Sequence, residues 1–412
     1  MAVTLIHVSD IHFGSGEVHG KINPATGLNI RFEDFVAALT KVVDYAIANK
    51  ADIFLFSGDA YRNASPEPIY QKFFARELKR LSDASIQTLL VVGNHDQIMR
   101  SNSSHAMSVF QSLAVKGVMT IDKPMKIKLD TANGAIQIIG LPHVTRHQLM
   151  TIEKYANLSA AAIDRILIEH ISDLLKGYYA DLDPNLPTVV TAHMGVDSAL
   201  SGIEQELLIG YTLTFPAEMF VDPLVDYVAL GHIHKHQIIK ASEPAIVYAG
   251  SLERVDFGEE REDKGFLHVQ VERGHCRYEF HSIQPRPFVT VSVNLVDAEE
   301  PMLKLVTAIN KAMIPGCVMR VRYTLIEPQL ALIDEEKLRA AASQALTVRL
   351  HPEVTQTVSR ARLPGLTESS VTSPMTALET YLNEVAPDRK DALVERARGL
   401  MAELSAELLN KE

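Results

Sequence analysis

Five short clusters in this sequence carry side chains that bind metal ions or move protons. They are Asp10-Ile11-His12, Gly58-Asp59, Gly93-Asn94-His95-Asp96, Ala192-His193 and Gly231-His232-Ile233-His234. Taken singly they say little. Gly-Asp after a strand is a common turn, and a lone histidine is more often a satisfied core or surface residue than a ligand. Gly93-Asn94-His95-Asp96 is more specific, because turns rarely need a histidine between Asn and Asp. The ordered set is what excludes turn chemistry, which would not place a ligand type at five strand ends. Seven side chains form the candidate ligand set: Asp10, His12, Asp59, Asn94, His193, His232 and His234. Carboxylate, imidazole and amide oxygen suit Mn, Fe, Zn or Mg, and the lack of thiolate argues against a structural zinc site. Seven donors are too many for one ion and fit two that share a carboxylate and a hydroxide. Such a pair, about 3.5–4 Å apart, clamps the oxygens of an anionic phosphodiester and lowers the pKa of a bridging water. His95, beside Asn94, is the candidate to neutralise developing charge or protonate the leaving group. Asp96 is the candidate to hold the His95 ring in the right tautomer.

These residues need a frame that brings strand ends together. Each cluster directly follows a short β-rich apolar run: Thr4–Val8, Asp52–Phe56, Gln87–Val92, Thr188–Thr191 and Tyr227–Leu230; Ala135–Ile139 is a further run. Helix-period segments such as Phe32–Ala48 and Pro68–Leu81 lie between several of them. Strands alternating with helices predict an α/β layered domain, in which loops at the carboxyl ends of strands converge into one crevice. A further strand, Ala245–Ala249, and a hairpin of Gly265–Glu272 with Cys276–His281 around Arg273-Gly274 close this domain.

Pro285-Arg286-Pro287 marks a boundary, so residues 1–285 form the first domain. Residues 286–365 read as a small α/β module: strand Phe288–Asn294, helix Pro301–Ala312, strand Cys317–Leu325, helix Asp334–Leu346 and strand Thr347–Leu350. Beyond Leu363-Pro364-Gly365, residues 366–412 offer two helices, Met375–Glu384 and Arg389–Leu409, each with an apolar stripe: Met375, Leu378, Tyr381 and Leu382 on the first, and Leu393, Ala397, Leu400, Met401, Leu404 and Leu408 on the second. A chain of 412 residues with 47% apolar residues suits two or three domains with sizeable cores. No run reaches the roughly 20 apolar residues of a membrane helix, the start lacks the basic flank of a secretory signal, and two distant cysteines make no disulfide framework. A cytoplasmic protein with no membrane contact is the expectation. The net charge of -11, concentrated in residues 1–285, argues mildly against nucleic acid, although local patches and bound cations set the field at a site.

The ordered motifs D-x-H, G-D, G-N-H-D, H and G-H-x-H resemble the calcineurin-like metallophosphoesterase superfamily. Within it the chain is similar to the SbcD-type exonucleases, relatives of the archaeal and eukaryotic double-strand-break nuclease. That closer likeness rests on Tyr227–His234 (YVALGHIH) and on Tyr248–Gly258 (YAGSLERVDFG) followed by Lys264-Gly265-Phe266. It covers residues 1–285, the module 286–365 by layout, and the tail by its amphipathic pattern alone. The resemblance implies a four-layer α/β sandwich with two central mixed β-sheets, a small α/β capping domain and C-terminal helices. It implies two divalent metal ions, Mn preferred: Asp10, His12, Asp59 and His234 would hold one, and Asp59, Asn94, His193 and His232 the other. Asp59 would bridge them, and His95 would be the catalytic histidine. It further implies DNA as substrate, a homodimer, and an SbcC-type coiled-coil ATPase as partner in double-strand-break repair. The family's dimer helices correspond here to the segment with the Tyr70, Phe73, Phe74 and Leu78 stripe, whose spacing first reads as core, and to Ala106–Leu113. One departure matters. Arg62 stands where archaeal and eukaryotic members carry a second active-site histidine, which the family links to endonuclease action. Arg62 is thus a candidate substrate-phosphate contact or a solvated loop residue. The rival reading is a phosphatase or nucleotide phosphodiesterase acting on small esters.

Overall fold

The apolar runs form strands, and the five clusters sit at their ends. A computed structural model of the chain describes residues 2–97, 104–147, 155, 157–199, 213–355 and 374–409. Its strands are β1 (Val3–Val8), β2 (Ile53–Phe56), β3 (Gln87–Val91), β4 (Val118–Ile121), β5 (Met125–Thr131), β6 (Gly134–Leu141) and β7 (Thr188–His193). There follow a two-residue pair, β8 (Gly195–Val196) and β9 (Thr214–Phe215), then β10 (Tyr227–Gly231), β11 (Gln237–Lys240), β12 (Ala245–Tyr248), β13 (Gly265–Glu272) and β14 (His275–Ser282). β15 (Phe288–Asn294), β16 (Val318–Ile326) and β17 (Thr347–Thr355) complete the set.

Two six-stranded sheets dominate, ordered β14-β13-β1-β2-β3-β4 and β11-β12-β10-β7-β6-β5. Both are mixed: β1 runs parallel to β2 and antiparallel to β13, and β10 runs parallel to β7 and β12 while β11 opposes β12. Alternate residues of a strand point to opposite faces, and both faces here are apolar. Leu5, Leu55 and Leu89 of the first sheet meet Ile138, Val189 and Ala229 of the second in one shared core. Ile6, Phe54 and Leu90 instead pack under the helices Ile30–Ala48 and Pro68–Asp83, and Val190, Val228 and Ile246 under the helix Ala160–Ala180. The order helix, sheet, sheet, helix is the four-layer sandwich with two central mixed sheets.

Register then gathers the ligand loops. Val8 is level with Phe56, and Phe56 with Leu90, so the loops after β1, β2 and β3 leave side by side. In the second sheet His193 is level with Gly231. Phe74 and Leu78 lie in the core, with Tyr70 and Phe73 packed against it, while Val109 and Leu113 are exposed.

The described chain divides into two compact units, Met1–Val291 with Val306–Val321 and Glu336–Leu350, and Ser292–Leu305 with Arg322–Glu335 and His351–Glu412. The first contains both large sheets. β15, β16 and β17 form a three-stranded sheet in that order. Within the second unit Arg322 pairs with Glu353, and the Gln329 amide donates to the Leu295 carbonyl. The helices Pro374–Val385 and Lys390–Leu409 form a hairpin joined by a short turn at Pro387–Arg389. The Leu363-Pro364-Gly365 boundary lies outside the described residues. Among the described residues no helix is long and apolar enough to cross a membrane.

Candidate metal centre

The loops that follow β1, β2, β3, β7 and β10 bring all seven donors to one place. Asp10, His12, Asp59 and His193 are buried, and Asn94, His232 and His234 are half-buried. Four of the donor residues, Asp10, His12, Asp59 and His232, have φ of 52°, 48°, 60° and 98°. Side chains other than glycine reach such backbone conformations only at a cost of about 1–3 kcal/mol each. They persist because the surrounding chain holds them, and the result is that each side chain turns inward just past its strand. Crowding fixes the neighbouring glycines as well. A Cβ on Gly93 would stand 2.1 Å from Asp59 Oδ1.

Two groups of donors share a middle. Asp10, His12 and His234 form one, and Asp59, His193 and His232 the other. His12 Nε2 stands 2.9 Å from His234 Nε2 and 3.8 Å from Asp10 Oδ1. Asn94 Oδ1 stands 3.0 Å from His193 Nε2 and 3.0 Å from His232 Nδ1. A single oxygen, Asp59 Oδ2, lies 3.5 Å from His12 Nε2 and 3.2 Å from His193 Nε2. Two donors bound about 2.1 Å from one ion at right angles stand about 3 Å apart, so these spacings fit cations.

Tautomers support the same fit. His193 Nδ1–H donates to the Ser57 carbonyl at 2.7 Å, and His234 Nδ1–H to Glu259 at 2.6 Å. Carbonyl and carboxylate oxygens only accept, so both rings turn an Nε2 lone pair into the centre. Burial pulls the His193 imidazole down, but the Asp59 carboxylate outweighs it and pushes the ring up to about 9. Burial likewise opposes a charged His234, and Glu259 carries it up to about 9. Burial works against the Asp59 carboxylate too, yet the His193 and His12 rings hold it well below the usual range. The charged Asp59 is thus matched by His193 and His234 alone, because burial holds the His12 and His232 rings below the ordinary imidazole value, His232 at about 3.

One residue stands otherwise than the sequence suggested. Asp96 does not hold the His95 ring. Its carboxylate accepts the backbone N–H groups of Asp59, Ala60, Tyr61 and Gly93 at 3.0, 3.1, 3.3 and 3.1 Å. It ties the loop after β2 to the loop after β3, because buried amides without strand partners need an acceptor. Burial and the Asp59 charge push its carboxyl up to about 7. The exposed His95 ring instead donates Nδ1–H to the Arg62 carbonyl at 2.8 Å, and it meets the His12 ring edge-on at 4.8 Å. Arg62 thus orients His95 through its backbone, while its side chain is exposed. His95, His12 and Asp59 also lie close enough to form a donor group.

Sequence reasoning missed Glu259 and Lys264, which sit behind His234, and His143, whose ring lies 5.8 Å from His232 and whose Nδ1–H donates to the His193 carbonyl. The buried pair closes a charge run, Glu259-Glu260-Arg261-Glu262-Asp263-Lys264, in which Lys264 entered only through the Lys264-Gly265-Phe266 likeness and with no site role.

The sequence profile of the calcineurin-like phosphoesterases matches residues 3–236, more than half of the chain and all seven donors. The chain belongs to the calcineurin-like phosphoesterase family. Members use divalent metals, in keeping with the donor groups here, and the chain is accordingly a metal-dependent phosphoesterase. This phosphoesterase is similar to the D component of the SbcCD nuclease of Escherichia coli K12, 26% identical over 261 residues, or 62% of each chain. It is also similar to "DNA double-strand break repair protein Mre11" of Saccharolobus solfataricus, 24% identical over 309 residues, 74% of this chain and 69% of that one. The first-named relative is thus spanned over about 62% of its length. Among solved structures, a dimetal phosphatase from Danio rerio superposes with a TM-score of 0.39 at 11% identity, over 68% of this chain and all of that one.

Proposed function

We propose that this chain is a two-metal DNA nuclease, a double-strand exonuclease that works in break repair as the nuclease component of an SbcCD-type complex. The observation that carries the reading is that Asp59 Oδ2 stands between a donor of each of the two groups, His12 and His193, in a chain whose relatives are named as nuclease and repair proteins. The family's divalent metals are proposed to be Mn here, one held by Asp10, His12, Asp59 and His234 and the other by Asp59, Asn94, His193 and His232. Bound divalent cations neutralise phosphate oxygens and make water acidic enough to act as a nucleophile.

The chain's own residues do the rest. Asp59, His12 and His193 collect anionic and neutral donors where the phosphate must lie. His95 presents Nε2 to the substrate, since its Nδ1–H is committed to the Arg62 carbonyl. A protonated ring keeps that bond and can pass the Nε2 proton to the departing sugar oxygen. The exposed Arg62 side chain is proposed to meet a substrate phosphate, and single-strand endonuclease action is secondary to exonuclease action in this reading, since Arg62 stands in place of the family's second histidine. Partners complete the proposal: a homodimer through the Ala106–Leu113 region, a coiled-coil ATPase docked on the tail, the module 286–365 as a cap, and a cytoplasmic setting. An ATPase that supplies phosphate contacts accounts for an acidic nuclease.

The test is hydrolysis of end-labelled linear duplex by the chain alone and with its ATPase, in Mn²⁺, Mg²⁺ or chelator. Cleavage from the ends that chelator abolishes and the ATPase stimulates is expected. Rapid hydrolysis of small phosphate esters with the duplex left intact overturns the reading in favour of a phosphatase.

A further inference from the structure

We infer that Glu259 and Lys264 are positioning residues for one cation position alone, the one formed by Asp10, His12 and His234. The inference rests on the two-metal reading and asks how its two positions differ. Glu259 and Lys264 are buried, at 6% and 0% exposure. Glu259 Oε1 accepts His234 Nδ1–H at 2.6 Å, and Oε2 stands 2.8 Å from Lys264 Nζ. Lys264 Nζ also donates to the His234 carbonyl at 3.0 Å and to Glu262 at 2.8 Å. The pair therefore grips His234 at both its ring and its backbone, closing a loop from Nδ1 through carboxylate and ammonium back to the carbonyl.

The carboxylate is itself held in place. Val255 N–H donates to Glu259 Oε2 at 3.1 Å, and the Arg254 guanidinium donates to the Glu259 and Glu262 carbonyls at 3.0 and 2.8 Å. All three ammonium protons of Lys264 thus have partners in the interior. A buried ion pair is weak evidence for stability, because desolvation offsets most of its attraction. What this one produces is a fixed Nε2 direction and a negative charge behind the imidazole, which makes the ring a stronger metal ligand. His193 leans on the Ser57 carbonyl at 2.7 Å, which has no net charge. Glu259 and Lys264 also lie beyond residues 3–236, the span shared with the family profile.

The experiment strips the full chain with chelator and measures Mn²⁺ uptake by equilibrium dialysis. Wild type takes up two ions. In Glu259→Gln, which keeps the side-chain shape and an acceptor for Nδ1–H, one ion is expected to bind about 10–100-fold more weakly and the other as in wild type. In a His193→Ala background, where the Asp10, His12 and His234 position remains, the same change leaves no tightly held ion. Equal weakening of both ions in Glu259→Gln, a purely structural effect, overturns the inference, and so does unchanged uptake of both. A wild-type chain that takes up no Mn²⁺ overturns the two-metal reading itself, so the two failures are distinct.

Discussion

Asp59 commits its two oxygens differently. Oδ1 accepts the His95 backbone N–H at 2.9 Å, while Oδ2 lies between the two donor groups. Asp59→Asn replaces that shared anion with a neutral amide, and both ions should be lost together; metal analysis finding two tightly held ions in the mutant would sink the bridging role. His95 is a separate case, because its ring can be either a proton donor or a ligand. His95→Ala is expected to keep two ions and lose about 10²–10⁴-fold in hydrolysis, as for a missing general acid. Activity that instead tracks metal content makes His95 a ligand. Proton linkage supplies a third check. His193 and His234 are pushed up to about 9 in the ion-free centre, so near pH 7.5 each holds a proton that a metal must displace. Affinity for Mn²⁺ should therefore rise with pH through about 9, and calorimetry at pH 7.5 should depend on the ionisation heat of the buffer. Heat independent of buffer would mean neutral rings. At this scale the donor set is legible in the sequence because ligand types recur at the ends of apolar runs. The work of Asp96 is not, since its partners are backbone amides, three of them on a loop some 36 residues away, and sequence pattern records side chains only.

Each element that carries a donor must stop abruptly and let the chain approach a neighbour. Gly58 follows β2 with φ 105°, and a Cβ there would stand 2.1 Å from His193 Nδ1. Gly58→Ala thus adds backbone strain of about 1–3 kcal/mol and displaces a ligand of the opposite sheet. The expected outcome is a lower unfolding midpoint together with weaker Mn²⁺ uptake; a variant with wild-type uptake would show that the loop yields without moving His193. The strands that bear ligands were readable, from Thr4–Val8 in sequence against Val3–Val8 in structure to the hairpin at Arg273-Gly274. The edge strands β4 and β5 were not. β5 alternates half-buried and exposed residues from Ile127 to Thr131, and lacks the apolar run that marks a strand buried on both faces. The helix Ala160–Ala180 also escaped notice. It buries one residue per turn, Ile163, Leu167, Ile171 and Leu175, but charged residues such as Arg165 and Asp173 interrupt the run. The helix Asp334–Leu346 proved shorter, Glu335–Ala341, and β17 longer, Thr347–Thr355.

At the scale of the whole molecule, what matters is which surfaces remain uncovered once the units have folded. The tail hairpin has little core of its own. Leu382 and Val394 are buried, but Tyr381, Leu400 and Met401 are 46%, 50% and 41% exposed. The sequence stripe of Met375, Leu378, Tyr381 and Leu382 therefore splits, with Leu382 covered and Tyr381 outward. On the second helix Val394, outside the expected stripe, takes the buried place, while Leu393 and Ala397 are half-buried. The side chains of Leu404 and Leu408 lie outside the described residues. Helices of this length draw most of their stability from packing an apolar face, so three large exposed apolar side chains on a two-helix hairpin suit a surface that a partner covers. The proposed occupant is the coiled-coil ATPase. Deleting residues 366–412 should leave a folded, metal-loaded enzyme that no longer co-purifies with it. The finer version is Leu378→Glu combined with Leu400→Glu. Each change puts a charge on an apolar face, harmless in water but costing several kcal/mol if the contact is desolvated. Binding to the ATPase should fall below detection while hydrolysis of a short oligonucleotide by the free chain is unchanged. Binding that survives both the deletion and the paired substitution would place the partner elsewhere on the molecule. Loss of oligonucleotide hydrolysis along with binding would mean that the hairpin supports the enzyme's own fold.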